Sequence, residues 1–256
     1  MGFIAGAAGQ PAQAPDGLTG LGIKAVFSAD ADTTFLSTMT DVQIANLTTA
    51  RIYTLPSTDP STGATVKAGR ELIFKNRGSF NLSFNSSAGT AMTVANVATG
   101  SVGDPTIRNG YVRLRALQDA PTTPAHWLVE EVSDEYSAVA TFTHPEFSPT
   151  SQVVVTRQNK VASIRIQDFT TAGSIVTGGS VLVATGFLPL RFRPAVPFFV
   201  GAISKSIGAA VAGAFAISTS GSLTVYQNYS GSGFSSGGTA GFGQTSNTQF
   251  FSYPLA

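Results

Sequence analysis

The 256 residues are enough for one large domain or two of ordinary size, and a 43% hydrophobic content can bury a core, which excludes wholesale disorder. Charged residues make up only 11%, against a typical share of about 25%; a chain so poor in charge has much of its surface covered by neighbours. The net charge of +1 provides no field to gather nucleic acid or an acidic membrane, and the absence of cysteine excludes disulfides and thiolate metal sites.

Residues 2–24 are dominated by Gly, Ala, Pro and Gln, with few large side chains. Such a segment is either a loose terminus or an arm that orders on threading into a neighbouring protein. No Lys or Arg precedes the small apolar start, so it is a poor signal peptide. Residues 40–48 are the one helix candidate, but they are rich in β-branched residues, which favour strands. Ile52 to Leu55 reads as a strand ended by Pro56. Leu72 and Phe74 alternate with Ile73 and Lys75, Asn76 to Ser79 supplies a turn, and Phe80, Leu82 and Phe84 alternate with polar residues. That pattern predicts a β-hairpin. Val112 and Leu114 point inward between Arg113 and Arg115, and Trp127 to Val129 closes the unit. Residues 134–149, with two prolines, read as a linker. Beyond it, residues 152–156, 162–166 and 181–183 read as strands. Phe215 and Ile217 lead through Ser220-Gly221 to Leu223 and Val225, a second hairpin. Phe250, Phe251 and Tyr253 close the chain.

The expected fold is all-β. A flexible N-terminal arm (1–33) precedes a β-sandwich or barrel-like module (34–133), a linker (134–149) and a C-terminal jelly-roll-like β-sandwich (150–256). No fixed-period repeat is visible, which argues against a solenoid or propeller.

Chemistry-bearing patterns are sparse. The apolar run from Ile207 to Ile217 is eleven residues long, whereas a membrane-spanning helix needs about twenty; no membrane insertion is expected. His126 and His144, the only histidines, lack acids at ligand spacing, so no metal or cofactor is expected. Glu135, Glu146 and Asp168 are the acids left to a C-terminal active site of the paired-carboxylate kind, and no Gly-x-Ser-x-Gly elbow occurs; no catalytic residue is assigned. From Ser206 onward no charged residue or histidine appears at all. Within that stretch Gly, Ser, Thr, Asn and Gln are studded with aromatics, the composition of recognition loops. Tyr226, Tyr229, Phe234 and Phe242 are therefore candidate ligand-binding residues. The same aromatics also suit strand and core positions, and both readings stand.

The segment Gly186 to Pro194 reads Gly-Phe-Leu-Pro-Leu-Arg-Phe-Arg-Pro. Followed by the Ser220-Gly221 hairpin and Ser252-Tyr253, it resembles the terminal domains of tailed-phage fibre and baseplate receptor-binding proteins, over roughly residues 150–256. Leu55-Pro56, Ala68-Gly69, Ile73 to Asn76 and Trp127 are similar, less specifically, to a β module of phage fibres. The resemblance implies a virion protein assembled in the host cytoplasm, a homotrimeric fibre or spike docked to a head or tail protein through residues 1–33. It also implies a C-terminal tip that binds a host-surface glycan. Within such an assembly Arg191 and Arg193 would donate to backbone carbonyls between subunits, and Phe250 and Phe251 would lie in the core or between subunits. The alternatives are a capsid decoration or head-fibre protein without a receptor, and a polysaccharide-degrading spike.

Overall fold

The computed structural model describes residues 25–27, 30–34, 42–58, 63–144, 148–170, 181–206, 209–228, 230–232, 234, 240–242 and 248–255. The chain divides into two units, residues 1–135 and 136–256. Among the described residues the only helix is two single 3-10 turns, Pro124–His126 and Leu190–Phe192, so the protein is all-β.

In the first unit six short strands alternate between two sheets. β1 (Ala25–Phe27), β3 (Val42–Ala45) and β5 (Glu71–Asn76) pair in parallel in one sheet. β2 (Thr33–Thr34), β4 (Arg51–Thr54) and β6 (Leu82–Asn85) pair in parallel in the other. The chain therefore winds as a coil, leaving one strand in each sheet per turn. β7 (Gly110–Ala116) runs antiparallel to β5, and the first residues of β8 (Trp127–Thr143) run antiparallel to β7. One core joins the sheets: the Phe74 ring lies 4.8 Å from Phe84 and 6.1 Å from Tyr53, with Leu72, Leu82, Val112, Leu114 and Trp127 around them.

Three expectations need correction here. β5 and β6 are not a hairpin; they belong to different sheets. The buried Asn76 turns the corner instead. Its Nδ2 donates to the carbonyls of Phe80 (2.6 Å) and Ile107 (3.1 Å), and its Oδ1 accepts from the Gly78 N–H (2.8 Å). Gly78 is required there because a Cβ would stand 2.4 Å from the Leu47 carbonyl oxygen, in the corner of the preceding turn. Second, a coil exists without a fixed repeat. Ala25 pairs with Val42 and Val42 with Ile73, so successive turns differ widely in length. Third, the arm loses residues 25–27, an apolar triplet that forms β1; residues 1–24 lie outside the described residues. The segment at 42–45 is strand, as its β-branched residues suggested.

In the second unit β9 (Thr150–Gln158) and β10 (Val161–Gln167) form a hairpin whose turn holds Asn159 at φ 52, in the left-handed region that Asn tolerates. β17 (Thr248–Pro254) pairs antiparallel with the other edge of β10. A larger antiparallel layer contains β11 (Phe169–Thr170), β12 (Val181–Val183), β13 (Phe198–Ser206), β14 (Ala209–Ile217), β15 (Leu223–Tyr226) and β16 (Ala240–Phe242), in the order β12-β15-β14-β13-β16-β11. Both layers supply one core: Val153, Val155, Ile164, Ile166 and Tyr253 from the first, Phe215, Ile217, Leu223 and Val225 from the second. The hairpin expected at Ser220-Gly221 is present, with Ile217 opposite Leu223. Residues 134–149 are not a free linker. β8 continues to Thr143, with Ala140 and Phe142 buried between exposed Val139 and Thr141, and residues 145–147 lie outside the described residues.

Candidate recognition and assembly surfaces

The segment from Gly186 to Pro194 is a structural plug. Leu188 and Phe192 are fully buried. The N–H groups of Gly186 and Leu188 donate to the carbonyls of Ser220 and Gly221, tying the segment to the β14–β15 turn. The Tyr253 hydroxyl donates to the Phe192 carbonyl at 2.8 Å, and burial pushes that phenol's pKa up. Arg193 Nε donates to the Leu188 carbonyl at 2.8 Å. The acceptor belongs to its own chain, whereas the expectation for Arg193 was acceptors between subunits. The Arg191 guanidinium sits 5.0 Å from the centre of the Phe192 ring.

The aromatic candidates separate. Phe234 and Phe242 are 1% and 0% exposed and belong to the core, so neither can present a ring to a ligand in this fold. The reason is alternation: Phe242 pairs with Ser204 and Phe169, whose side chains face inward. Phe251 is also core and stacks on Phe215 with centroids 5.1 Å apart. Phe250, one position earlier, points the other way and is 64% exposed. Tyr226 is half-buried, with its ring 5.8 Å from that of Phe199. Tyr229 lies outside the described residues.

Two outer faces of this unit differ in chemistry. On the first, Leu182 of β12, Thr224 and Tyr226 of β15, Ala212, Ala214 and Ala216 of β14, and Phe199, Gly201 and Ile203 of β13 share one side by register. Leu182, Phe199 and Ile203 are each more than 40% exposed. Charge is absent until Lys205 ends the run along β13. An antiparallel sheet with one wet side alternates apolar and polar residues; β13 and β14 do not alternate, and their outer side is as apolar as their inner one. The sequence carried the signal in Ala-Ala-Val-Ala-Gly-Ala-Phe-Ala-Ile, which has no polar residue at any second position.

The second face, on β9, β10 and β17, is polar. Thr156, Ser163 and Ser252 form one row, with the two serine hydroxyls 2.8 Å apart, and Val154, Arg165 and Phe250 form the next. Gln152, Gln158 and Gln167 share the same side. Periodicity alone did not single out Arg165, since an outward Arg in a strand is ordinary.

The remaining candidates are dispersed. His126 Nδ1 accepts from the N–H groups of Thr122 (3.1 Å) and Thr123 (3.3 Å), closing the 3-10 turn. His144 is buried in the second unit. Glu146 lies outside the described residues, among which no group of three or more His, Asp or Glu could hold a metal ion. The run at 207–217 is strand from Ala209 onward, and no described helix is long and apolar enough to cross a membrane.

The fold thus defines an all-β protein of two units, the second offering two contrasting faces. No family model and no curated protein matches the chain. Among solved structures, it is similar to a reovirus attachment protein, sigma1, crystallised with alpha-2,3-sialyllactose. The match has 14% identity and a TM-score of 0.31, covering 48% of this chain and 65%, just under two thirds, of that one. A likeness that slight carries no function across.

Proposed function

We propose that the chain is a structural virion protein, a homotrimeric fibre or spike. Residues 1–24, the part of the expected arm outside the first unit's strands, dock it to a head or tail protein, and its C-terminal unit binds a host-surface glycan. No catalytic role is assigned. The observation that carries the reading is the outer face of β12, β15, β14 and β13. An exposed apolar sheet face, uncharged up to Lys205 at the end of β13, is the kind of surface that packs against another protein. Its small residues Gly201, Ala212 and Ala216 keep it low between the larger side chains, so that a second sheet can approach. Occupation by sibling copies also accounts for the low charge content of the whole chain, since obligate oligomers bury apolar surface that monomers must solvate. Copies held together then add weak sites by multivalency.

The test is adsorption. Purified full chain in excess is expected to bind intact host cells and to block attachment of the particle that carries it. Undiminished adsorption, with no chain on the cells, contradicts a receptor-binding role and favours capsid decoration.

A further inference from the structure

The polar face of β9, β10 and β17 carries one charge at its centre. Arg165 is exposed, and among the described residues no carboxylate pairs with it. Its cross-strand neighbour Phe250 is the most exposed aromatic ring described, with no ring contact. Burying Arg165 against the same unit of another copy would need an acid or several carbonyl acceptors there, because an unpaired charge is costly to desolvate. The C-terminal unit has only Glu146 and Asp168 to offer, against six basic residues. An external anion satisfies the guanidinium with no such demand. The adjacent rows supply hydroxyls and an amide from Thr156, Ser163, Ser252 and Gln167, the adaptable donors and acceptors that sugar hydroxyls need.

We propose that this face binds an anionic saccharide, with Arg165 forming paired hydrogen bonds to its carboxylate or phosphate and the Phe250 ring lying against the apolar side of a sugar ring. The inference rests on the receptor-binding reading above and names the site and the ligand's charge. It assigns Phe250 to recognition instead of the subunit contact expected from sequence.

The experiment is affinity gel electrophoresis of the full chain in oligogalacturonate, phosphomannan or dextran, which supply carboxylate, phosphate and no charge. The expected result is retardation by one or both anionic polymers and none by dextran; whichever polymer retards identifies the anion. Arg165→Gln and Phe250→Ala are each expected to weaken retardation roughly tenfold or more, with circular dichroism melts like the parent's. Arg165→Lys should retain part of the affinity. Arg77→Gln, the same charge change on the first unit, should have no effect. Absence of retardation by both anionic polymers, equal retardation by dextran, unchanged migration of Arg165→Gln and Phe250→Ala, or equal loss in Arg77→Gln would each overturn the proposal. Host-cell binding that survives in Arg165→Gln overturns the site and leaves the attachment reading standing. A parent chain that binds acidic polymers through Arg165 but no host cells leaves the site standing and removes the attachment reading.

Discussion

Replacing Asn76 with alanine should destabilise the first unit out of proportion to the few atoms removed. The side chain makes three hydrogen bonds in the corner between β5 and β6. The Ile107 carbonyl keeps the Leu82 N–H as a partner at 2.8 Å, and Phe80 lies at the exposed end of the turn, so neither acceptor is stranded. The buried Gly78 N–H has no such substitute. Two ordinary hydrogen bonds at about 1 kcal/mol each, plus about 1–2 kcal/mol for a buried unpaired donor, sum to about 3–4 kcal/mol. That is a large part of the roughly 5–15 kcal/mol holding a domain together. Trp127 makes the assay specific. It is the only tryptophan and fully buried in the first core, so its fluorescence follows that unit alone. At an m-value of about 1.5–2 kcal/mol/M the urea midpoint should fall by about 2 M. Arg77→Ala, on the exposed neighbour, should shift it by little. A midpoint for Asn76→Ala within about 0.3 M of the parent would refute the corner as described.

Three further outcomes follow from the same geometry. Gly221→Ala should cost the second unit about 2–4 kcal/mol, since φ there is +81 and a Cβ would lie 2.8 Å from the Leu188 carbonyl oxygen; differential scanning calorimetry measures it. Phe242→Ala should cost about 3–5 kcal/mol as a core truncation, whereas Tyr226→Ala, half-buried, should cost far less; equal losses in urea followed by tyrosine fluorescence would contradict their placement. The Lys67 ammonium and the Ala68 N–H hold the Asp119 carboxyl below its ordinary pKa, as the Thr48 hydroxyl and then Arg51 do for Asp30. Depressed pKa values mean that the folded state binds fewer protons than the unfolded one. This stabilisation is therefore present above about pH 4 and lost as pH falls through the native values. Asp30→Asn with Asp119→Asn should flatten the acid limb of the first unit's stability against pH.

Local chemistry was legible and pairing was not. The β14–β15 hairpin could be read because a Ser-Gly turn joins adjacent strands, so a local signal settles a local contact. The same signal at Asn76 to Ser79 misled, because two alternating runs around a glycine describe a hairpin and a corner between sheets equally well. What decides is the parallel partner. For β5 that is β3, and for β6 it is β4, each about thirty residues earlier across loops of unequal length. Among the candidate residues, the aromatic composition of the C-terminal stretch identified real rings but not their sides. One position separates Phe250 from Phe251, and it separates solvent from core. Arg193 was expected to donate to carbonyls between subunits; its acceptor, five residues away in its own chain, depends on the 3-10 turn at Leu190–Phe192.

The central claim is that copies of this chain cover the apolar face of β12, β15, β14 and β13. Light scattering on the full chain after size exclusion tests it most directly, with Phe199→Glu and Ile203→Glu run beside the parent. The account predicts three times the 26.4 kDa of one chain for the parent and a lower mass for the variants. A stable monomer, or a trimer indifferent to both substitutions, would contradict it.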